Sequence, residues 1–173
     1  MPFRKGSPRW VSITLKHKKL HEDTKTLLTR ASSIFVQFQG TNSSSGLPNV
    51  LFQGCSNLAV LTLSCCAFSF AWPPFHHCNK LKFLGLDHCT DLDKAKLEEQ
   101  SCSTKWACLH SLYVLDLRYT CWDEILSGEN VDVMANVMEL NIEGVKGWQY
   151  TNLLQKRLPY LEYVAFGWPV AFG

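Results

Sequence analysis

The sequence predicts an α/β solenoid: stacked repeats with a parallel sheet on the concave face and short helices or turns on the convex face. Three observations carry that expectation. Five nine-residue segments with one apolar pattern recur between residues 58 and 169. Their starts, at 58, 81, 112, 137 and 161, lie 23, 31, 25 and 24 residues apart, close to one supersecondary unit per repeat. The 173 residues are 46% hydrophobic, enough for a core in a single domain spanning 1–173.

The clearest segments are Leu58-Ala-Val-Leu61-Thr-Leu63-Ser-Cys-Cys66 and Leu81-Lys-Phe-Leu84-Gly-Leu86-Asp-His-Cys89. Leu112, Leu115 and Leu117 continue the series, then Val137, Leu140 and Ile142, then Leu161, Val164 and Phe166. All fit L-x-x-L-x-L-x-x-(N/C), the leucine-rich-repeat strand and its following turn. The fourth and sixth side chains fall on one face of a short strand, and the residues between them face outward. A single repeat cannot cover its own apolar row, whereas a neighbour on each side can.

Before this block, residues 1–50 read as degenerate N-terminal repeats, and 51–173 as the five clearer ones. Trp10, Ile13 and Leu15 fit the first, fourth and sixth positions. Ala31, Ile34 and Val36 fit loosely, and a shift to Ser33, Val36 and Phe38 fits equally well. Residues 40–46, rich in Gly, Ser and Asn, read as an exposed loop. The sequon at Asn42 lacks the secretory signal that its use would require.

Thr90, with Asp93 three residues on, reads as the N-cap of a helix running to Gln100 in the longest gap. Asn130 to Val137 and Tyr150 to Arg157 are shorter helix candidates. Pro48 and the Pro73-Pro74 pair mark loops.

Charge is unevenly distributed. Residues 1–30 hold eight Lys/Arg against two Asp/Glu, residues 31–79 hold none of either, and residues 80–173 hold nine against thirteen. The net charge of +2 gives no general reason to expect nucleic acid. The 49 uncharged residues are expected to lie against protein on most sides. No uninterrupted apolar run approaches the roughly 18 residues of a membrane helix, because Pro73 and Pro74 break the longest candidate. With no apolar stretch behind Arg4, Lys5 and Arg9, no secretory signal is legible, so a cytoplasmic chain without disulfides is expected.

Six of the eight cysteines follow the repeat. Cys66 and Cys89 take the turn position, Cys55 and Cys78 precede their first leucines by three residues, Cys108 precedes Leu112 by four, and Cys121 follows Thr120. Small buried hydrophobes would recur in this way. Cys102 stays unassigned, and Cys65 falls in the outward eighth column, the thiol to test first. No C-x₂₋₄-C pair, phosphate loop or nucleophile motif is found. His17 and His21 lack the glutamate of a zinc-protease helix. Cys89 with His88, or Cys78 with His77, would be the only imaginable nucleophile pairs. No catalytic residue, metal or cofactor is therefore expected.

What remains is a surface. The seventh column places Asp87, Arg118 and Glu143 on successive strands about 4.8 Å apart, an expected ladder of alternating charge. Asp116 lies beside it in the fifth column. Phe83 and Tyr163 in the third column, and His88, Tyr119 and Trp168 in the eighth, add aromatic rings of the kind that anchor interfaces. The candidate protein-binding residues are Phe83, Asp87, His88, Asp116, Arg118, Tyr119, Glu143 and Tyr163.

Residues 74–89, 105–120 and 134–145 resemble repeats of the nucleotide-binding leucine-rich-repeat immune receptors of grasses. The likeness spans about residues 47–166. It implies a non-enzymatic recognition or autoinhibition module in plant defence. Its partner would be a pathogen effector, a guarded host protein or the family's nucleotide-switch domain. That switch domain and its phosphate loop are absent here, so the resemblance brings no nucleotide site. The basic residues from Arg4 to Arg30 would correspond to the start of the family's repeat region. Near the end, Phe166, Trp168, Val170 and Phe172 are followed by no polar cap, which predicts a piece of a larger receptor. Two alternatives stand beside this reading: a substrate-recruiting repeat adaptor of a ubiquitin ligase, without a legible F-box-like segment, and a cysteine-dependent enzyme.

Overall fold

The computed structural model describes residues 9–15, 22–39, 46–92, 106–120, 125–126, 128–144, 154 and 156–165. The chain is α/β. Its strands are β1 (Trp10–Leu15), β2 (Ser33–Phe38), β3 (Val60–Ser64), β4 (Ala67–Phe68), β5 (Phe83–Asp87), β6 (Thr90–Asp91), β7 (Val114–Asp116), β8 (Glu139–Asn141) and β9 (Tyr163–Ala165). Among the described residues, the α-helices α1 (Glu22–Arg30) and α2 (Gly128–Val133) and a 3₁₀ turn at Ala107–Ser111 lie between strands.

Seven strands form one sheet in the order β1-β2-β3-β5-β7-β8-β9, and every pairing is parallel. Apart from the short β4–β6 ladder, each strand thus lies beside its predecessor in the chain. The register puts Val11, Ile34, Leu61, Leu84, Leu115, Leu140 and Val164 level, one apolar row crossing all seven strands. Ile34, Leu61, Leu84, Leu115 and Leu140 are fully buried, while Val11 and Val164 in the outer strands are only partly covered. Each buried leucine contributes about 1.5–3 kcal/mol before ordering entropy is subtracted.

The main chain repeats as faithfully as the leucines. Just before each strand, one carbonyl accepts two successive N–H groups of the next strand's start. Arg9 O takes Ser32 and Ser33 at 2.9 Å, Ser32 O takes Ala59 and Val60, and Ala59 O takes Lys82 and Phe83. Lys82, Tyr113 and Met138 do the same for the following strands. One residue upstream, a tight turn closes each repeat onto a buried side chain: Leu28, Cys55, Cys78, Leu109, Met134 or Leu158. Cys55 and Cys78 hold the expected position. Leu109 takes it in the third case, one residue after Cys108, which is buried in any event.

After the strand, the eighth residue adopts a left-handed conformation four times in succession: Cys65 (φ 55), His88 (φ 51), Tyr119 (φ 53) and Gly144 (φ 72). Three of the four are not glycine, in a region that costs most L-residues about 1–2 kcal/mol. Cross-repeat bonds hold it: Cys65 N to Asp87 O at 2.8 Å, His88 N to Arg118 O at 3.0 Å, and Tyr119 N to Glu143 O at 2.8 Å. The ninth side chain then reaches back to the preceding repeat. Cys66 Sγ donates to Val36 O (4.0 Å), Cys89 Sγ to Leu63 O (3.3 Å) and Thr120 Oγ1 to Leu86 O (2.8 Å). Thr120 Oγ1 also accepts from Cys89 N at 3.0 Å.

Some expectations are corrected. In β1, Val11 and Ile13, not Ile13 and Leu15, are level with Ile34 and Val36. A two-residue slip keeps every side chain on its face, so the alternation of Val11, Ile13 and Leu15 could not distinguish the registers. For β2 the pairing selects Ala31, Ile34 and Val36 over the shifted reading. Thr90 caps no helix. It belongs to β6, level with Ala67, where Thr90 N bonds Cys66 O and Asp91 Oδ1 accepts from Phe70 N. Residues 93–100 of the expected helix, the 40–45 part of the expected loop, Cys102, Cys121 and Trp168 lie outside the described residues. The helix expected over 130–137 is α2, shifted towards the N-terminus, and Leu154, Lys156 and Arg157 are helical within the last candidate. Helix α1 was not foreseen; its Leu28 is fully buried.

Of the 43 described residues of the uncharged stretch, 18 are buried in this chain and the rest are half-buried or exposed. Phe68, Phe70, Phe75 and Trp106 pack in tilted and edge-to-face pairs with centroids 5.1–5.7 Å apart, and Trp106 Nε1 donates to Phe70 O at 3.1 Å. Phe35, Val50 and Trp72 are its large exposed apolar residues.

Thr120 is 2% exposed and bridges two repeats through one oxygen. Thr120→Val keeps the shape but strands the Cys89 N–H and removes the donor to Leu86 O. The expected loss in urea unfolding is about 1–3 kcal/mol, against less than about 0.5 kcal/mol for Thr62→Val on the outward face.

Candidate functional site

The outward side chains of the sheet sit at the third, fifth and seventh positions of each repeat, with the left-handed eighth residue at the rim. Of the eight candidate residues, Asp87, His88, Asp116, Arg118, Tyr119 and Glu143 come together where β5, β7 and β8 end. Phe83 is half-buried, and its ring lies over Gly85, where an added Cβ would meet it at 3.1 Å. Tyr163, 61% exposed on β9, stands level with Glu139 and three strands away from Phe83, outside the cluster.

The expected ladder through Arg118 does not form. The Arg118 guanidinium, just past the end of β7, turns back to Asp116, with Nε 3.1 and 3.0 Å from the two carboxylate oxygens. Arg118 N also bonds Asp116 Oδ1 at 3.2 Å, closing a side-chain turn that Asn141 repeats with Glu143 N at 3.1 Å. Asp87 and Glu143 act on Arg118 only through space. Asp116 first, and they secondarily, push its pKa up. The two outer carboxylates have other partners: Asp87 Oδ1 lies 2.7 Å from His88 Nδ1, and Glu143 Oε1 accepts from Tyr119 Oη at 3.1 Å. That bond raises the Tyr119 pKa.

The left-handed rim then joins the two halves. His88 and Tyr119, neighbours in the eighth column, stack with centroids 4.5 Å apart and planes at 25°. The Tyr119 ring rests on Gly144, where a Cβ would collide with it, so glycine is required there twice, for its φ of 72° and for the ring. The result is one connected surface, Asp87–His88–Tyr119–Glu143, with Asp116–Arg118 beside it. The left-handed backbone at His88 and Tyr119 aims both rings, and no sequence pattern signals it at histidine and tyrosine.

Sequence reasoning passed over two outward features. The second column places Lys82 Nζ 4.4 Å from the centre of the Tyr113 ring, and the same alignment of repeats could have shown them adjacent. Phe35, 40% exposed, lies at the fifth position of β2, visible only once the β2 register is known.

Five of the six described thiols have pKa values raised above the ordinary cysteine range. Burial pushes Cys55 up to about 11 and both Cys78 and Cys108 up to about 12. Cys89 is raised well above its ordinary value, chiefly by its hydrogen bond with the Cys66 thiol. Cys65, the one exposed thiol among the described residues, is also raised, by burial first and then by Asp87 and Cys66. At Cys89 and Cys108 a backbone hydrogen bond acts in the opposite direction and is outweighed. Among the described residues no three His, Cys, Asp or Glu side chains are grouped to hold a metal, and no helix is long and apolar enough to cross a membrane. No family model, curated protein or solved structure matches the chain.

The buried thiols set a pH dependence. Their folded pKa values near 12 exceed the ordinary 9.0, so their stabilising effect is complete below pH 9 and is lost as pH rises towards 12. The unfolding free energy is expected to fall from pH 9 to 11 by up to about 1.4 kcal/mol per pH unit for each thiol, and the melting temperature with it. Cys78→Ala with Cys108→Ala should lower stability at pH 8 yet flatten that fall.

Proposed function

We propose that the chain is a leucine-rich-repeat solenoid serving as a non-enzymatic protein-interaction module in plant defence, of the kind carried by cytoplasmic nucleotide-binding immune receptors of grasses. The observation that carries the repeat reading is the six-fold recurrence of one main-chain device, a carbonyl shared by two N–H groups at the start of each following strand. Four consecutive left-handed eighth residues, where the leucine-rich-repeat pattern turns the chain, support it further.

A module of this architecture acts through surface. Its outward face gathers Arg, Tyr, His and carboxylates on a rigid sheet, and Tyr and Arg are frequent anchors of protein interfaces. Such a surface fits recognition of a pathogen effector, a guarded host protein or a switch domain, with Asp87, His88, Arg118, Tyr119 and Glu143 at its centre and Phe83, Asp116 and Tyr163 around them. The raised thiols speak against a cysteine nucleophile.

Proximity labelling in the source tissue identifies the partner. Components of a ubiquitin ligase among the labelled proteins, in place of immune proteins, would favour the adaptor reading. With the partner in hand, Arg118→Ala combined with Tyr119→Ala is expected to weaken binding at least about 30-fold, the cost of one strong anchor. Both side chains are substantially exposed, at 44% and 48%, so unfolding should change little. Unchanged affinity would remove this face from the interface.

A further inference from the structure

The outward face is divided, and the division points to what it binds. On β1, β2 and β3 the outward positions carry no charge, and Trp10 and Phe35 stand 67% and 40% exposed there. From β5 onward the third, fifth and seventh positions carry Asp87, Asp116, Glu139 and Glu143 against Arg118, a net −3, while Lys82 and Glu162 in the second column cancel. Asp116 already occupies Arg118, so the unbalanced charge sits on the other three carboxylates.

We propose that this face takes an extended protein segment that sets an arginine against the His88–Tyr119 stack and an apolar side chain against Phe35. The inference rests on the protein-binding reading above and names the chemistry of the partner. A guanidinium is planar, stacks on aromatic rings and donates in its own plane to carboxylates. The stack supplies the rings, and Asp87 and Glu143 flank it at the two edges. Each of these carboxylates makes one bond to its ring and keeps further acceptor sites for an incoming donor. Both rings are held before anything binds, His88 by Asp87 and Tyr119 by Glu143 and the surface of Gly144, so little ordering is left for the encounter. Lysine lacks the planar fork and fits less well. A nucleic acid or an acidic segment would meet like charge.

The spacing follows from the sheet. Phe35 lies two strand steps from His88 and three from Tyr119, and three residues below them along the strand. At about 4.8 Å per step and about 3.3 Å per residue, that is roughly 14–17 Å, or four to five residues of extended chain.

Selection of random nine-residue peptides displayed on phage against the full chain tests the inference. Enriched sequences are expected to carry arginine four or five residues from an aromatic or large aliphatic residue. Their affinity should fall at least tenfold on the Asp87→Asn/Glu143→Gln variant, fall similarly on Phe35→Ser, and weaken with added salt. Thermal melts of both variants within about 2 °C of the parent exclude misfolding as the cause. Enrichment of uncharged or acidic peptides that still lose binding on Tyr119→Ala would overturn the arginine inference and leave the protein-binding face standing. Peptides indifferent to both Tyr119→Ala and Phe35→Ser, or no enrichment at all, would overturn both.

Discussion

One carbonyl before each strand accepts two N–H groups from the strand that follows, and six junctions are built on that bond pair. A main-chain acceptor shared in this way leaves no freedom of register. Once it forms, the fourth-position side chains must fall level, and Leu61, Leu84, Leu115 and Leu140 make a continuous row. The row in turn excludes water from the bonds beneath it. Neither would persist alone: an unpaired buried peptide group costs about 1–3 kcal/mol, and an unsupported apolar row has nothing to cover it.

The rim depends on the same register. Because consecutive strands end level, the ninth side chain of one repeat can reach the sixth carbonyl of the one before. Cysteine and threonine serve, as small residues with a donor. The cysteines therefore have a packing role: Cys66 and Cys89 bond at the rim, and Cys55, Cys78 and Cys108 fill the turns, where burial raises the pKa of these three. The rim bonds also hold the eighth residue left-handed, and that conformation turns His88 and Tyr119 into the pair that organises Asp87 and Glu143. The surface proposed to bind a partner is thus a by-product of how the repeats are locked together.

Legibility in the sequence tracked the physical signal at each point. Leucines spaced three and then two apart announced β3, β5, β7, β8 and β9, because burial of the fourth and sixth side chains leaves a pattern that few substitutions hide. The register of β1 was illegible, since Val11, Ile13 and Leu15 alternate equally well two residues along. Thr90 misled because a threonine before an acidic run has the look of a helix cap, while its actual partners, Ala67 and Cys66, lie a repeat away. Column alignment placed Asp87, Arg118 and Glu143 as neighbours, yet it could not say that Asp116, two residues before Arg118 at the end of β7, lies closer. The left-handed residues were hidden for a different reason. Only Gly144 carries the usual signature; Cys65, His88 and Tyr119 are held there by bonds from the next repeat.

The central claim is that consecutive repeats are stacked in strict chain order by one shared register. Methyl-to-methyl nuclear Overhauser contacts on leucine-labelled protein test it most directly. The account predicts Leu61–Leu84, Leu84–Leu115 and Leu115–Leu140 contacts, with none from Leu61 to Leu115 or from Leu84 to Leu140. Contacts that skip a neighbour, or any contact between Leu61 and Leu140, would contradict it.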